Sequence, residues 1–176
     1  RRCRSTLALE VHCGQDSIVC GHISVIIRLK AVKLLGRLFA SQYANYGTDF
    51  NRNFREFLGR FVDVAPAVRL EMVDCGSLII KRKPFLREAT IDHLTNRLKD
   101  AEAEVRQNTL QHLLEIAMED PTRLSVAAVE ERGGRVKDRK LEIRKGAMIG
   151  LSKMFSRHIT AVLPELSSLK DWRKQL

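Results

Sequence analysis

Arg60-Phe61-Val62-Asp63, followed by Val68-Arg69, returns as Arg97-Leu98-Lys99-Asp100 with Val105-Arg106, and again as Arg135-Val136-Lys137-Asp138 with Ile143-Arg144. In each copy the aspartate precedes the second arginine by six residues. Arg28, after Ile27, extends the series upstream, so that Arg28, Arg69, Arg106 and Arg144 stand 41, 37 and 38 residues apart. That period belongs to paired-helix repeats of the HEAT kind, and the fold expected is an all-α HEAT-repeat solenoid, a superhelix of antiparallel helix pairs.

Around each arginine, positions −1, +3, +4, +7 and +10 carry the apolar residues. In the first copy they are Ile27, Ala31, Val32, Leu35 and Leu38, and in the last Ile143, Ala147, Met148, Leu151 and Met154. This is a helical stripe and marks the second helix of each pair. The middle copies keep it, except that Gly76 stands at +7. The aspartate falls just before this helix, where its carboxylate is expected to accept orphan N–H groups and start the helix. The arginine is then placed to reach the aspartate of its own or the adjacent unit. Asp63, Arg69, Asp100, Arg106, Asp138 and Arg144 are therefore expected to form a structural ladder of charge-assisted bonds.

Shorter amphipathic runs supply the first helices: Asn53 to Val62, Ile91 to Leu98, and Leu124 to Glu131 with Gly133-Gly134 ending it. Loops are expected at Tyr43 to Asp49, at Lys81-Arg82-Lys83-Pro84 and at Asp120-Pro121. Pro164 is expected to open a last helix, Glu165 to Leu176. Residues 25–176 thus read as an array of about four units. Its apolar stripe runs to both ends, so a slice of a longer solenoid is expected.

Residues 1–24 lack the periodicity and read as a non-repeat or poorly ordered edge. His22 stands where the repeat would place aspartate. The set Cys13-x6-Cys20-x-His22, with Cys3 and His12 nearby, matches no compact zinc knuckle, so no metal is expected. Four cysteines fit a reducing compartment better than a disulfide scaffold. There is no run of eighteen apolar residues and no signal peptide, so neither membrane association nor secretion is expected.

With 44% hydrophobic and 6% aromatic residues, the chain can bury a core of aliphatic helix contacts. Its formal net charge of +10 is concentrated in clusters. Lys81, Arg82, Lys83, Lys137, Arg139, Lys140 and Lys145 are the candidate polyanion- or partner-binding residues, for DNA, another polyanion or an acidic peptide. A solvated face is the competing reading. Aromatics are not interleaved with these residues, which argues against a single-strand stacking platform.

Phe57-Leu58-Gly59-Arg60-Phe61-Val62-Asp63 through Glu71, and Asp138-Arg139-Lys140-Leu141-Glu142-Ile143-Arg144-Lys145-Gly146-Ala147-Met148-Ile149-Gly150-Leu151, resemble segments of the cohesin-associated sister-chromatid cohesion proteins of the precocious-dissociation-of-sisters family. Arg28-Leu29-Lys30-Ala31 and Leu34-Leu35-Gly36-Arg37-Leu38-Phe39 extend the likeness, which runs from about Ile26 to His158. Gly146 departs from it, standing where that family tends to place a larger polar residue. The resemblance implies a non-enzymatic regulator of cohesin in the nucleus, on chromatin, that binds the kleisin subunit and the wings-apart-like release factor. No cofactor is implied. In keeping with this, the sequence has no glycine-rich phosphate loop, nucleophile elbow or metal triad. His93, His112 and His158 read as surface or groove residues. Two alternatives stay open: a generic HEAT scaffold of the nuclear-transport or phosphatase type, and a HEAT-like DNA glycosylase, whose aromatic pocket would have to draw on the single tryptophan, Trp172.

Overall fold

The computed structural model describes residues 24–169, with side chains as far as His158 apart from that of Val126. The eight α-helices here are α1 (Val25–Phe39), α2 (Tyr46–Asp49), α3 (Asn51–Leu58), α4 (Pro66–Arg82), α5 (Pro84–Asn96), α6 (Ala103–Glu119), α7 (Val126–Gly134) and α8 (Leu141–Leu169), and no strand occurs among the described residues. The architecture is a HEAT-repeat α-solenoid. The arginine-bearing helices α1, α4, α6 and α8 pack in succession as one layer, and α5 and α7 pack against each other in the other.

Apolar side chains at helical spacing explain the core. Val68, Met72, Val73, Ile79 and Ile80 of α4, and Val105, Leu110, Leu113, Ile116 and Ala117 of α6, are almost completely buried. Phe39 closes the α1–α3 junction, meeting Phe54 and Phe57 edge-on with ring centroids 5.2 Å away. Gly76 is required by packing, because a Cβ there would come 2.8 Å from Cζ of Phe61. In the first unit the stripe is incomplete. Ile27 is exposed where its counterparts Val68, Val105 and Ile143 are sealed, since no first helix precedes α1 among the described residues.

The arginines tie each unit to the next. Arg28 reaches Asp63 through Nε and Nη2, both at 2.9 Å. Arg69 holds Asp100 at 2.9 and 2.8 Å, and Arg106 holds Asp138 at 2.9 and 3.1 Å. Meanwhile Nη1 donates backward to the main chain of its own unit, from Arg69 to the Asp63 carbonyl, Arg106 to that of Asp100 and Arg144 to that of Asp138, each at 2.8 Å. One guanidinium therefore spans two units through a bidentate side-chain bond and a main-chain bond. The first arginine of each motif adds a second cation. Arg60, Arg97 and Arg135 lie 3.5, 2.8 and 3.4 Å from the aspartate three residues on.

Several boundaries differ from the sequence reading. The aspartates do not cap the helices: Asp63, Asp100 and Asp138 accept from Ala65, Glu102 and Lys140, in the turn before helices that begin three residues later. With both oxygens engaged by arginine, the carboxylate shapes the turn. Lys81-Arg82-Lys83-Pro84 is no loop, because α4 runs through Arg82 and Pro84, at the first position of α5, lacks the N–H a helix start would leave unsatisfied. α3 and α5 begin earlier than the apolar pattern, and α2 forms inside the expected loop at Tyr43 to Asp49. α7 starts at Val126, two residues later than read, and closes at Gly133-Gly134 as expected, before a tight turn at Arg135–Lys137. α8 continues through Pro164 to Leu169 instead of yielding to a new helix, since an internal proline removes one bond without forbidding the helix that follows. Residues 1–23, with the cysteines and histidines considered for metal, and Trp172 lie outside the described residues.

Candidate partner-binding surface

The ladder fixes the spacing of α4, α6 and α8, and between α6 and α8 it leaves a groove of about 510 Å³. Leu110, Leu114, Met118 and Ile143 supply its apolar lining, while Lys81, Glu115, Glu119, Glu142 and Lys153 supply its charges. Two glycines four apart on α8 give the groove its shape. Leu114 packs onto Gly150 where any Cβ would collide, which draws the helices together. A Cβ on Gly146 would meet nothing within 4 Å, and the absent side chain leaves the groove open.

Charged side chains along the neighbouring helices are partly spoken for. Lys81 lies 3.0 Å from Glu119 and 3.7 Å from Glu115. His112 Nε2 is 2.8 Å from Asp74, which also accepts from Asn108, and these hydrogen bonds hold the Asp74 carboxyl below its ordinary range. His158 Nε2 lies 3.0 Å from the Ala117 carbonyl, and His93 stacks on Phe61. Cys75 is a free, buried thiol; loss of solvation, with Glu71 and Asp74 nearby, pushes its pKa up to about 12, so it is inert.

The candidate basic residues separate into two groups. Lys83 is a structural anchor: it is buried, and its ammonium donates to the Ala44 carbonyl at 2.7 Å and to Asn45 at 3.1 Å. Lys81 belongs to the groove and Arg82 is exposed at the end of α4, so the three consecutive cations of the sequence do not make one patch. By contrast Lys137, Arg139 and Lys140 are all exposed on the turn that leads into α8, with no carboxylate in ion-pair range among the described residues. Lys145 is also exposed and lies 3.5 Å from Glu142.

For Asp63, Asp100 and Asp138, burial pushes the carboxyl upward. Hydrogen bonds from Arg28, Arg69 and Arg106, together with the turn N–H and the charges of Arg60, Arg97 and Arg135, outweigh it, and the net shift is downward. The first arginines of the motif, Arg60, Arg97 and Arg135, which sequence reasoning left without a role, were signalled by the repeated three-residue spacing to aspartate. The groove was signalled only by Gly146 and Gly150, whose effect depends on what α6 places opposite them.

Stacked helix pairs with a groove along successive second helices define a protein of the helical-repeat solenoid class, and no set of three metal-ligating side chains is gathered among the described residues. Residues 23–173 match the family model for sister chromatid cohesion protein PDS5, and the chain belongs to that family. Sister chromatid cohesion protein PDS5 homolog A of Homo sapiens and that of Mus musculus are each 29% identical over 131 residues, which cover 74% of this chain and 10% of theirs. Homolog B of Rattus norvegicus is 26% identical over 149 residues, 85% of this chain and 10% of its own. The chain thus spans about a tenth of the length of these curated relatives. A chain in a solved structure of the Pds5–Scc1 complex has the same fold, with a TM-score of 0.72 at 17% identity over 80% of this chain and 22% of that one.

Proposed function

We propose that this chain is a non-enzymatic, partner-binding slice of a cohesin regulator acting on nuclear chromatin, and that the kleisin subunit docks along the α6–α8 groove. Membership of the cohesion family and the fold shared with a protein solved in complex with Scc1 support the choice of partner. The observation that carries the site is the groove itself: an apolar lining on consecutive second helices, held open at Gly146 and rimmed by charges of both signs. An extended segment or short helix laid there gains a few contacts from each unit, so affinity accumulates along the stack. The wings-apart-like release factor is the second expected partner.

Calorimetric titration of kleisin and release-factor peptides into this chain and into the full-length protein tests the reading. Measurable kleisin binding to this chain, stronger in the longer protein, is expected. No binding of any cohesin subunit by the full-length protein would overturn it, and capture of transport or phosphatase subunits instead would favour a generic scaffold.

The basic turn favours a second contact. Lys137, Arg139 and Lys140 form an exposed cationic cluster without neutralising carboxylates among the described residues, which suits a phosphate backbone read without sequence preference. Duplex DNA is the polyanion proposed.

A further inference from the structure

The α6–α8 groove presents its contacts in a fixed order. Glu142, Gly146, Gly150 and Lys153 follow one another at intervals of four, four and three residues, so they form a single stripe of α8, and all four line the groove. From Glu142 to Lys153 is about 16 Å along the helix axis. At Gly150 the missing side chain is replaced by Leu114 of α6, whereas at Gly146 a Cβ would meet nothing within 4 Å. The walls are hydrocarbon: Leu110 and Ile143 are buried, Leu114 and Met118 half-buried. Along the stripe the order is therefore acid, open hole, filled hole, base.

The charges that rim the groove are not equivalent. Lys81 is answered by Glu119 at 3.0 Å and Glu115 at 3.7 Å, Glu119 also meets Arg123 at 3.2 Å, and Glu115 accepts from Gln111 at 3.1 Å. Lys153 is exposed and has no carboxylate in ion-pair range among the described residues. At the opposite end Glu142 is exposed and lies 3.5 Å from the equally exposed Lys145. A solvated pair of that kind holds its members weakly, so Glu142 still repels an anion. One end of the groove attracts a carboxylate and the other rejects it.

We propose that the groove selects its partner segment by two features: one bulky apolar side chain seated at Gly146, and one carboxylate bound by Lys153. This selection rests on the groove being the kleisin site, and it is the pattern a kleisin segment must carry to occupy it. Gly146 and Lys153 are seven residues apart, about 10 Å along α8. About three residues of an extended chain, or about two turns of a helix, span that separation. The anchor, desolvated between hydrocarbon walls, supplies most of the affinity. The carboxylate supplies direction, because a segment laid the other way round would bring its acid toward Glu142. A segment with a basic residue at the acidic position would meet Lys153 with like charge.

Overlapping peptides that tile the kleisin are titrated calorimetrically into this chain, and the tightest binder is scanned residue by residue. Truncating one apolar residue to Ala, or one acidic residue about three positions from it in an extended segment or about seven in a helix, is expected to weaken binding on the order of tenfold. Lys153→Glu, with its thermal midpoint checked, should lose on the order of tenfold against that peptide and recover it against the same peptide with the acidic residue changed to Lys. Kleisin binding that is lost in Gly146→Leu but indifferent to Lys153→Glu would overturn the pattern and leave the groove as the kleisin site. So would a loss in Lys153→Glu that the charge-reversed peptide does not recover. If no kleisin peptide binds, the choice of partner is wrong, and the pattern is tested by panning a phage-displayed random peptide library on this chain with counter-selection on Lys153→Glu. Enriched sequences that pair a large apolar residue with an acidic one at that spacing would uphold it. Enrichment without the pair, or no enrichment, would overturn it.

Discussion

Arg69 binds Asp100, 31 residues away, through two hydrogen bonds of 2.8 and 2.9 Å, while its third nitrogen donates to the carbonyl of Asp63, the aspartate in the turn between the two helices of its own pair. Breaking this contact leaves a buried charge facing main-chain carbonyls. Asp100→Ala is expected to destabilise the chain by roughly 2–4 kcal/mol while leaving helical circular dichroism at low temperature intact. Thermal unfolding checks this, and an unchanged midpoint would count against the ladder.

Acid should loosen the same contacts. Asp63, Asp100 and Asp138 have folded pKa values below the ordinary 3.8. At low pH the unfolded chain therefore binds more protons than the folded one, so their stabilisation is present above about pH 4 and is lost as pH falls through the lowered folded values. A midpoint that is level near neutrality and drops below about pH 4 is expected. Asp100→Asn should flatten part of that drop; an identical pH profile in the variant would assign the acid sensitivity to other groups.

Arg132 is the misfit of the core. It is fully buried at the register position that Phe57 and Leu94 fill in the preceding units, and among the described residues it donates to the Ala128 and Leu113 carbonyls and the Met154 sulfur. Loss of solvation brings its pKa down to about 10. Replacing a buried charge that has no counter-ion among the described residues with an apolar side chain should help. Arg132→Leu is expected to raise stability by about 1–3 kcal/mol in chemical denaturation, and a decrease would mean the carbonyl bonds outweigh the desolvation.

Reversing the charges of Lys137, Arg139 and Lys140 together, with Asp138 and Arg144 untouched, should weaken duplex DNA binding and reduce its salt dependence by about three contacts' worth of slope. The checks are fluorescence anisotropy across a salt series and a thermal midpoint to confirm folding. Equal affinity and slope would make this turn a solvated surface.

The second helices and their arginine–aspartate rungs were legible because both are periodic: Val68, Val105 and Ile143 repeat a burial pattern, and the six-residue spacing repeats a bond. Properties that depend on a neighbour's shape were not. The ammonium of Lys83 looks like one more surface cation until the turn at Ala44 and Asn45 folds beneath it. Met148 satisfies the stripe in sequence and is exposed all the same, since burial at that position belongs to the following unit. Pro164 reads as a boundary, yet the helix tolerates it. Gly146 reads in sequence as one small residue on a helix; only opposite Leu110, Leu114 and Met118 does its missing side chain become a groove.

Gly146 also offers the most direct test of partner binding. Space for a side chain is free there, and an exposed helical glycine costs about 1 kcal/mol relative to alanine, so Gly146→Leu should fold at least as stably as the parent chain while filling the groove. Calorimetric titration of a kleisin peptide into the two chains side by side is the decisive measurement. The account predicts that Gly146→Leu retains or raises the thermal midpoint and loses kleisin binding by on the order of tenfold or more; undiminished binding to a stably folded Gly146→Leu would contradict it.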